Sequence, residues 1–221
     1  MAQPAPCKTV AADKVKRDPH RTKARILAAA TTEFARNGLG GARVDQIAAR
    51  ARSNERMLYY YFDSKDKLFV AVLEEAYLGF WRAESKLRLD HLEPIPGISR
   101  LVKFTWSYYV AHPEFIRLLN TENQHQAKFL KKSKHLTDLV SPALGMLRAL
   151  LVRGQECGVF RSGLDPSQIY IMIAALGYFY LSNRYTLSTV LGRDLMSPVA
   201  QADHLAHITE VVLNHLRKHK D

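Results

Sequence analysis

The stretch Asn54-Glu55-Arg56-Met57-Leu58-Tyr59-Tyr60-Tyr61-Phe62-Asp63-Ser64-Lys65-Asp66-Lys67-Leu68 concentrates groups able to read nucleic acid. A short helix with Asn54, Glu55, Arg56 and Tyr59 near its start presents donors, acceptors and a ring to base edges in a major groove. Tyrosines at its far end, Tyr60 and Tyr61, can donate hydroxyls to phosphate oxygens. Lys65 falls in the first turn of the next helix. There its cation and the free backbone N–H groups would bind an arriving anion together. Taken alone, the same residues also fit a plainer pattern, with Tyr60 and Phe62 as core aromatics and Lys65 merely exposed.

Such groups need a scaffold. Asp18-Pro19 is a helix start, because Asp caps free N–H groups and Pro loses nothing at the first helical position. Ile26, Leu27, Ala30 and Phe34 then recur at helical spacing until Asn37-Gly38, a stop signal. Arg21 and Arg25 lie four apart on one face, pointing away from that stripe. A second short helix fits Val44, Ile47, Ala48 and Ala51, and a third runs from the cap Asn54 to Tyr61 or Phe62. Three short helices separated by tight turns read as a helix-turn-helix head. Before them, residues 1–17 read as a flexible basic arm carrying Lys14, Lys16 and Arg17.

A fourth helix begins at Asp63-Ser64 with Leu68, Val72, Leu73 and Ala76 on one face and runs to about Leu89. Glu93-Pro94-Ile95-Pro96-Gly97 breaks the chain. Helical patterns resume over 98–111, 113–129, 141–155, 166–189 and 201–216. With no strand-like alternation and no internal repeat, the expected fold is all-α, with an arm (1–17), a head (18–66) and a larger helical domain (67–221).

The 221 residues carry 32 Lys+Arg against 21 Asp+Glu, a net charge of +11. Residues 1–56 hold 12 basic and 5 acidic residues, so most of the excess sits in the first quarter. That is the footprint of an anion-binding head on a nearly neutral body, although a solvated basic tail has the same charge signature. Cys7 and Cys157 are the only cysteines, which excludes a disulfide scaffold and suits a reducing cytoplasm. The longest apolar run, Ile169 to Leu181, is shorter than the roughly 18 residues of a membrane span. With no apolar secretory leader, the expectation is a cytoplasmic protein.

Phe34-Ala35-Arg36-Asn37-Gly38, Ala42-Arg43-Val44-Asp45-Gln46-Ile47-Ala48, Leu58-Tyr59-Tyr60-Tyr61-Phe62 and Ser64-Lys65-Asp66-Lys67-Leu68 together resemble the DNA-binding head of the TetR family of bacterial transcriptional regulators. The resemblance covers roughly residues 20–70. It implies a recognition helix from Asn54 to Tyr60, a phosphate-binding Lys65, and base and backbone contacts from Tyr59, Tyr60 and Tyr61. It also implies a helical domain that dimerises and binds a small molecule, with output most often repression at a palindromic operator. The chain departs from the family pattern at the turn before the recognition helix, where Gly-aliphatic-Ser is replaced by Arg52-Ser53-Asn54. Loss of the Gly predicts some backbone strain, and Arg52 adds a cation near DNA. Tyr61 stands where His is frequent. Ala42 replaces a phosphate-contacting Thr, so Arg43 is the expected contact there.

A second constellation lies in Tyr108–Phe129 and Tyr170–Tyr185. Aromatic walls with a few polar groups suit a small-ligand pocket, and core aromatics plus a dimer interface suit the same residues. Trp106, Tyr108, Asn120, Asn123, His125, Tyr178 and Arg184 are the ligand candidates. The segment Tyr178 to Ser188 is similar to the family subgroup containing NicS-type repressors of nicotinate catabolism. This implies a small aromatic carboxylate as effector, with Arg184 or His125 as counter-ion. The apolar helix 169–181 and the last helix would form the four-helix dimer contact that the family implies.

Enzyme signatures are missing from the sequence: no Gly-rich phosphate loop, no Gly-x-Ser-x-Gly, no His-Glu-x-x-His. His204/His207 and His215/His219 have metal-compatible spacings but read as exposed histidines, so neither metal nor cofactor is expected. The competing expectation is a helical enzyme or small-molecule carrier whose basic arm binds anions generally.

Overall fold

The computed structural model describes residues 18–133 and 137–218, and every regular element among them is helical. Lys14, Lys16 and Arg17 of the expected arm lie outside the described residues. Helix α1 (Pro19–Gly41) starts as its sequence dictates: the Asp18 carboxylate accepts from the His20 (2.9 Å) and Arg21 (3.4 Å) N–H groups. The stop at Asn37-Gly38 is realised as a kink. Gly38 takes φ +64°, and one further turn follows before the chain leaves.

Helix α2 (Val44–Arg50) and helix α3 (Glu55–Phe62) follow, and the Asn54 side chain accepts from Met57 N–H at 2.9 Å to start α3. Ser64 caps helix α4 (Lys65–Ser85) in the same way through Lys67 N–H at 3.1 Å. The apolar stripes of these four helices meet in one core containing Ile26, Phe34, Ile47, Leu58, Leu68, Phe69 and Val72, all fully buried. Each such side chain contributes roughly 1.5–3 kcal/mol on burial.

Two members of that core come from far along the chain, Leu118 and Phe129. Phe69 meets Phe34 and Phe129 edge-on, with centroids 5.1 Å apart in both pairs.

The body comprises α5 (Pro94–Ala111), α6 (Pro113–Gln124), α7 (Thr137–Glu156), α8 (Pro166–Ser182), α9 (Arg184–Leu191) and α10 (Pro198–Leu216). Helix α5 lies at its centre, touching α4, α6, α7, α8 and α10 through Ile98, Leu101, Val102, Trp106 and Tyr109. A second core, separate from that of the head, collects around it.

Several boundaries differ from the sequence expectation, including the starts of α7 (Thr137) and α10 (Pro198), each a few residues early. Pro94 opens α5 where a break was expected, since a first-turn proline has no intrahelical N–H bond to lose. Helix α4 stops at Ser85, and Leu89 falls in a separate 3-10 turn. Helix α6 ends at Gln124, because Gln126 (φ +56°) and Ala127 (φ +58°) are left-handed. The long 166–189 pattern is two helices broken at Asn183, whose Nδ2 bonds back to the Phe179 carbonyl (2.9 Å).

Candidate nucleic-acid interface

Helix α3 is two-sided. Leu58 (0% exposed) and Phe62 (6%) fix it to the head, while Glu55, Arg56, Tyr59 (45%) and Tyr60 (77%) face outward. Tyr60 is therefore no core aromatic. Its ring leans edge-on against Tyr61 at 5.2 Å, which limits the freedom of both. An eight-residue helix exposing two adjacent tyrosines and an arginine is shaped to meet a partner with polar edges and phosphates. The Asn54 oxygen is used as the cap, so that residue positions the helix.

The turn before α3 carries the strain its sequence implied. Arg52 N–H donates to Ala49 O (3.0 Å) and Ser53 N–H to Ala48 O (2.9 Å), the paired bonds of a Schellman helix end. The left-handed position in this motif normally belongs to glycine, and here Arg52 fills it at φ +48°. The turn, α1 and α3 enclose a cleft of about 240 Å³ lined by Thr22, Arg25, Arg52, Ser53, Asn54, Met57 and Tyr61. Arg25, absent from the sequence-derived candidates, faces this cleft. The four-residue spacing of Arg21 and Arg25 was the signal that could have found it.

Arg43 precedes α2 and is held by Asp45 through two hydrogen bonds (3.2 and 2.8 Å). The hydrogen bond, reinforced by charge, holds the Asp45 carboxyl below its ordinary range and Arg43 above its own. The entry to α2 depends on a residue that the sequence reading passed over. Glu33, 4% exposed, accepts from Asn37 Nδ2 (2.8 Å) and from Arg43 N–H (3.2 Å), tying α1 to the start of α2. Lys65 sits half-buried at the first position of α4. Lys67 pairs with Asp63 at 2.5 Å, whereas Lys65 has no acidic partner among the described residues.

The seven ligand candidates do not converge on one place. Tyr178 hydroxyl donates to Asn120 Oδ1, which also accepts from Ser182 Oγ (3.1 Å), joining α6 to α8. Trp106 is a core residue packed on Tyr180 and His204, and His204 stacks on Tyr180 at 3.9 Å. Burial depresses the His204 pKa, so this histidine is no freely exposed group. Tyr108 packs on Phe80 and His112. Asn123 is exposed, and its amide bonds back to Leu119 O (2.9 Å). A ring nitrogen of His125 lies 2.8 Å from Thr121 O. Arg184 donates to Leu181 O (3.1 Å) and to the Tyr185 hydroxyl (2.9 Å). Those hydrogen bonds and charges, with Arg117 nearby, lower the Tyr185 pKa.

Head and body are joined by Glu122, buried on α6. Its Oε1 accepts from the N–H groups of Phe129 (2.9 Å) and Leu130 (2.8 Å), fixing the left-handed turn that seats Phe129 among the head aromatics. Both residues fall in the Tyr108–Phe129 stretch read above for ligand contacts, but a seat for Phe129 beside residues as distant in the chain as Phe34 and Phe69 leaves no local pattern in the sequence.

A head with an outward-facing short helix, on a helical body linked to it by α4 and Phe129, defines a DNA-binding regulator of the helix-turn-helix class. Residues 26–72 match the family described as bacterial regulatory proteins, tetR family, and residues 94–212 match the tetracyclin repressor-like C-terminal domain. The chain belongs to the TetR family of bacterial transcriptional regulators and is not an enzyme.

It is 48% identical over 198 residues to the HTH-type transcriptional repressor NicS of Pseudomonas putida, covering 90% of this chain and 93% of that protein. It is 35% identical to the HTH-type transcriptional repressor SCO4008 of Streptomyces coelicolor, covering 72% and 78%. The crystal structure of SCO4942 from Streptomyces coelicolor superposes with a TM-score of 0.67 at 24% identity, over 88% of this chain and 98% of that one. No helix among the described residues is long and apolar enough to cross a membrane.

Proposed function

We propose that this chain is a repressor that binds a palindromic operator as a homodimer and is released by a small molecule. In this reading residues 18–66 are the DNA-binding head and residues 67–221 the body. The observation that carries it is α3: its inner face is fixed by Leu58 and Phe62, and its outer face offers Arg56, Tyr59 and Tyr60. Two copies would set these helices in successive major grooves, roughly 34–36 Å apart. Asn54 orients the helix, and Glu55 is the acceptor at its start. Lys65, Tyr61, Arg43 and the Arg25–Arg52 cleft are positioned for backbone phosphates.

The second copy docks on α8 and α10. Ile171 (57% exposed) and Phe179 (61%) on α8 and Val199 (69%) on α10 are large apolar side chains that water would otherwise cover. The effector binds in the body, where it must favour a head spacing that no longer fits the operator. A coupling of about 1–3 kcal/mol is typical and lowers affinity roughly 5–150-fold.

The experiment is binding of the purified protein to the duplex upstream of its own coding region and to random duplex, at about 0.15 M salt. A preference of about a thousandfold is expected for a specific regulator. Equal binding to both duplexes, with no dimer-sized footprint, would support a generic anion binder instead.

A further inference from the structure

Glu33 is an acid on the inner face of α1, where its neighbours Ala29, Ala30 and Phe34 are all buried. The residue is 4% exposed. Burying a carboxylate is costly unless donors meet it, and an apolar side chain of similar size would pack there without that cost. What Glu33 contributes is therefore to be read from the donors it holds.

Its Oε1 holds two. One is the Asn37 amide, a turn further along α1 (2.8 Å), and the other is the backbone N–H of Arg43, beyond the Gly38 kink (3.2 Å). Arg43 opens α2. Its carbonyl accepts from Ile47 N–H at 3.1 Å, but its side chain makes no capping bond, and Ala42 before it has no side-chain acceptor to offer. A helix start is normally fixed by the side chain of its own cap residue. Here the bond comes from the preceding helix, so it sets where α2 begins relative to α1.

The far end of Arg43 is held as well. Its guanidinium donates to Asp45 from Nε (3.2 Å) and Nη2 (2.8 Å), and the side chain stays 69% exposed. The Asp45 hydrogen bond, then its charge, raises the Arg43 pKa, and the Glu33 charge adds to this. The other cations assigned above to phosphates, Arg25, Arg52 and Lys65, have no acidic partner within 4 Å among the described residues. Arg43 is thus pinned at its backbone by one acid and at its tip by another. It stands at the front of the helix that crosses the DNA backbone in a helix-turn-helix. A cation already held in place loses less freedom when it binds.

Resting on the reading of Arg43 as a phosphate contact, we propose that Glu33 is a positioning residue for operator binding. Buried in the head, it does not meet DNA. It fixes the Arg43 backbone so that the guanidinium faces a phosphate when α3 enters the groove.

A double-mutant cycle on the full-length protein tests this, read as operator affinity and its salt dependence. Arg43→Ala, which keeps the backbone N–H, is expected to lower operator affinity about tenfold or more. It should also flatten log K against log[salt] by about 1.8 for the dimer. Glu33→Leu keeps the bulk and removes the acceptor. It should reproduce most of both effects at a temperature where circular dichroism shows it folded, and cost nothing further in the Arg43→Ala background. Glu33→Gln, whose Oε1 can accept both donors, should restore operator affinity. Hydrogen exchange at the Arg43 amide gives an independent readout: slow in wild type and Glu33→Gln, fast in Glu33→Leu.

Additive losses in the double variant would overturn the proposal, because Glu33 would then act on the fold and not through Arg43. Wild-type binding by Glu33→Leu, or a fast Arg43 amide in the wild type, would overturn it too. Should Glu33→Leu not fold, Glu33→Gln decides: amide protection and operator affinity must stand or fall together, and a mismatch sinks the idea. Failure of the underlying reading looks different: Arg43→Ala alone would then bind the operator with wild-type affinity and salt slope.

Discussion

Replacing Arg52 with glycine separates two effects that the residue combines. Arg52 occupies the left-handed position of the Schellman end of α2 at φ +48°, where a side chain costs about 1–2 kcal/mol relative to glycine. Glycine returns roughly 0.5–1 kcal/mol of this through its greater freedom in the unfolded chain. The net expectation is a gain of about 0.5–1 kcal/mol, seen as a rise in Tm of about 1–4 °C for a chain of this size. The side chain is exposed, so little packing is lost. Operator binding should change in the opposite sense. If Arg52 neutralises one phosphate in each subunit, the slope of log K against log[salt] becomes shallower by about 1.8 for the dimer. Differential scanning calorimetry and operator titration from 0.05 to 0.3 M salt provide the two readouts. Arg52→Ala controls for charge alone: it should flatten the salt slope equally and leave the Tm without the gain. A glycine variant no more stable than the alanine variant would refute the strain argument. An unchanged salt slope in both would refute the phosphate role.

Lys65→Ala should weaken binding to every duplex and flatten its salt dependence, whereas Tyr59→Ala should erode the preference for the operator over random duplex; equal salt slopes for Lys65→Ala and wild type would count against the assignment. Phe129→Ala removes a ring that is 1% exposed and should cost about 3–5 kcal/mol, with calorimetry showing the head melting ahead of the body. Glu84 gives a pH signature of its own. Burial pushes its carboxyl up to about 7, above the unfolded value, so its neutral form is favoured in the fold. The cost of ionising it is absent below the unfolded pKa near 4.5 and fully present above about 7, so stability from this group falls as pH rises between them. Glu84→Gln should therefore match wild type near pH 4.5 and exceed it at pH 8, by an amount on the order of 3 kcal/mol. Urea melts at the two pH values decide this, and an equal difference at both would exclude the titration.

The head was readable because its determinants are local. Asp18, Asn54 and Ser64 cap the helices they were expected to start, and Leu58 and Phe62 fall on the inner face that helical spacing assigns them. The missing glycine at Arg52 signalled the positive φ that the structure shows. Prolines were less transparent, since Pro94 marks a break and a helix start equally well, and only packing decides. The body was legible as helices but not as a site. Trp106, Tyr108, Tyr178 and Arg184 share aromatic or cationic character without sharing a location, because helix faces in a bundle are set by tertiary contacts. Glu33 and Glu84 were overlooked since a lone acid on an amphipathic helix carries no sign that it points inward. Their burial depends on partners ten or more residues away, such as the Arg43 N–H for Glu33, or on neighbouring helices.

The aromatic trio of Phe34, Phe69 and Phe129 has a bearing on how this protein can be re-engineered. If the DNA-reading module were exchanged with that of a relative, the obvious seam would be the start of α4. Here that seam would leave the graft short of a ring that the recipient must provide. A chimera joined near residue 66 needs an aromatic of the right size on the recipient's α6–α7 connection, or it carries a hole in its centre. Grafts that transfer the loop together with the module would keep both the fit and the signal.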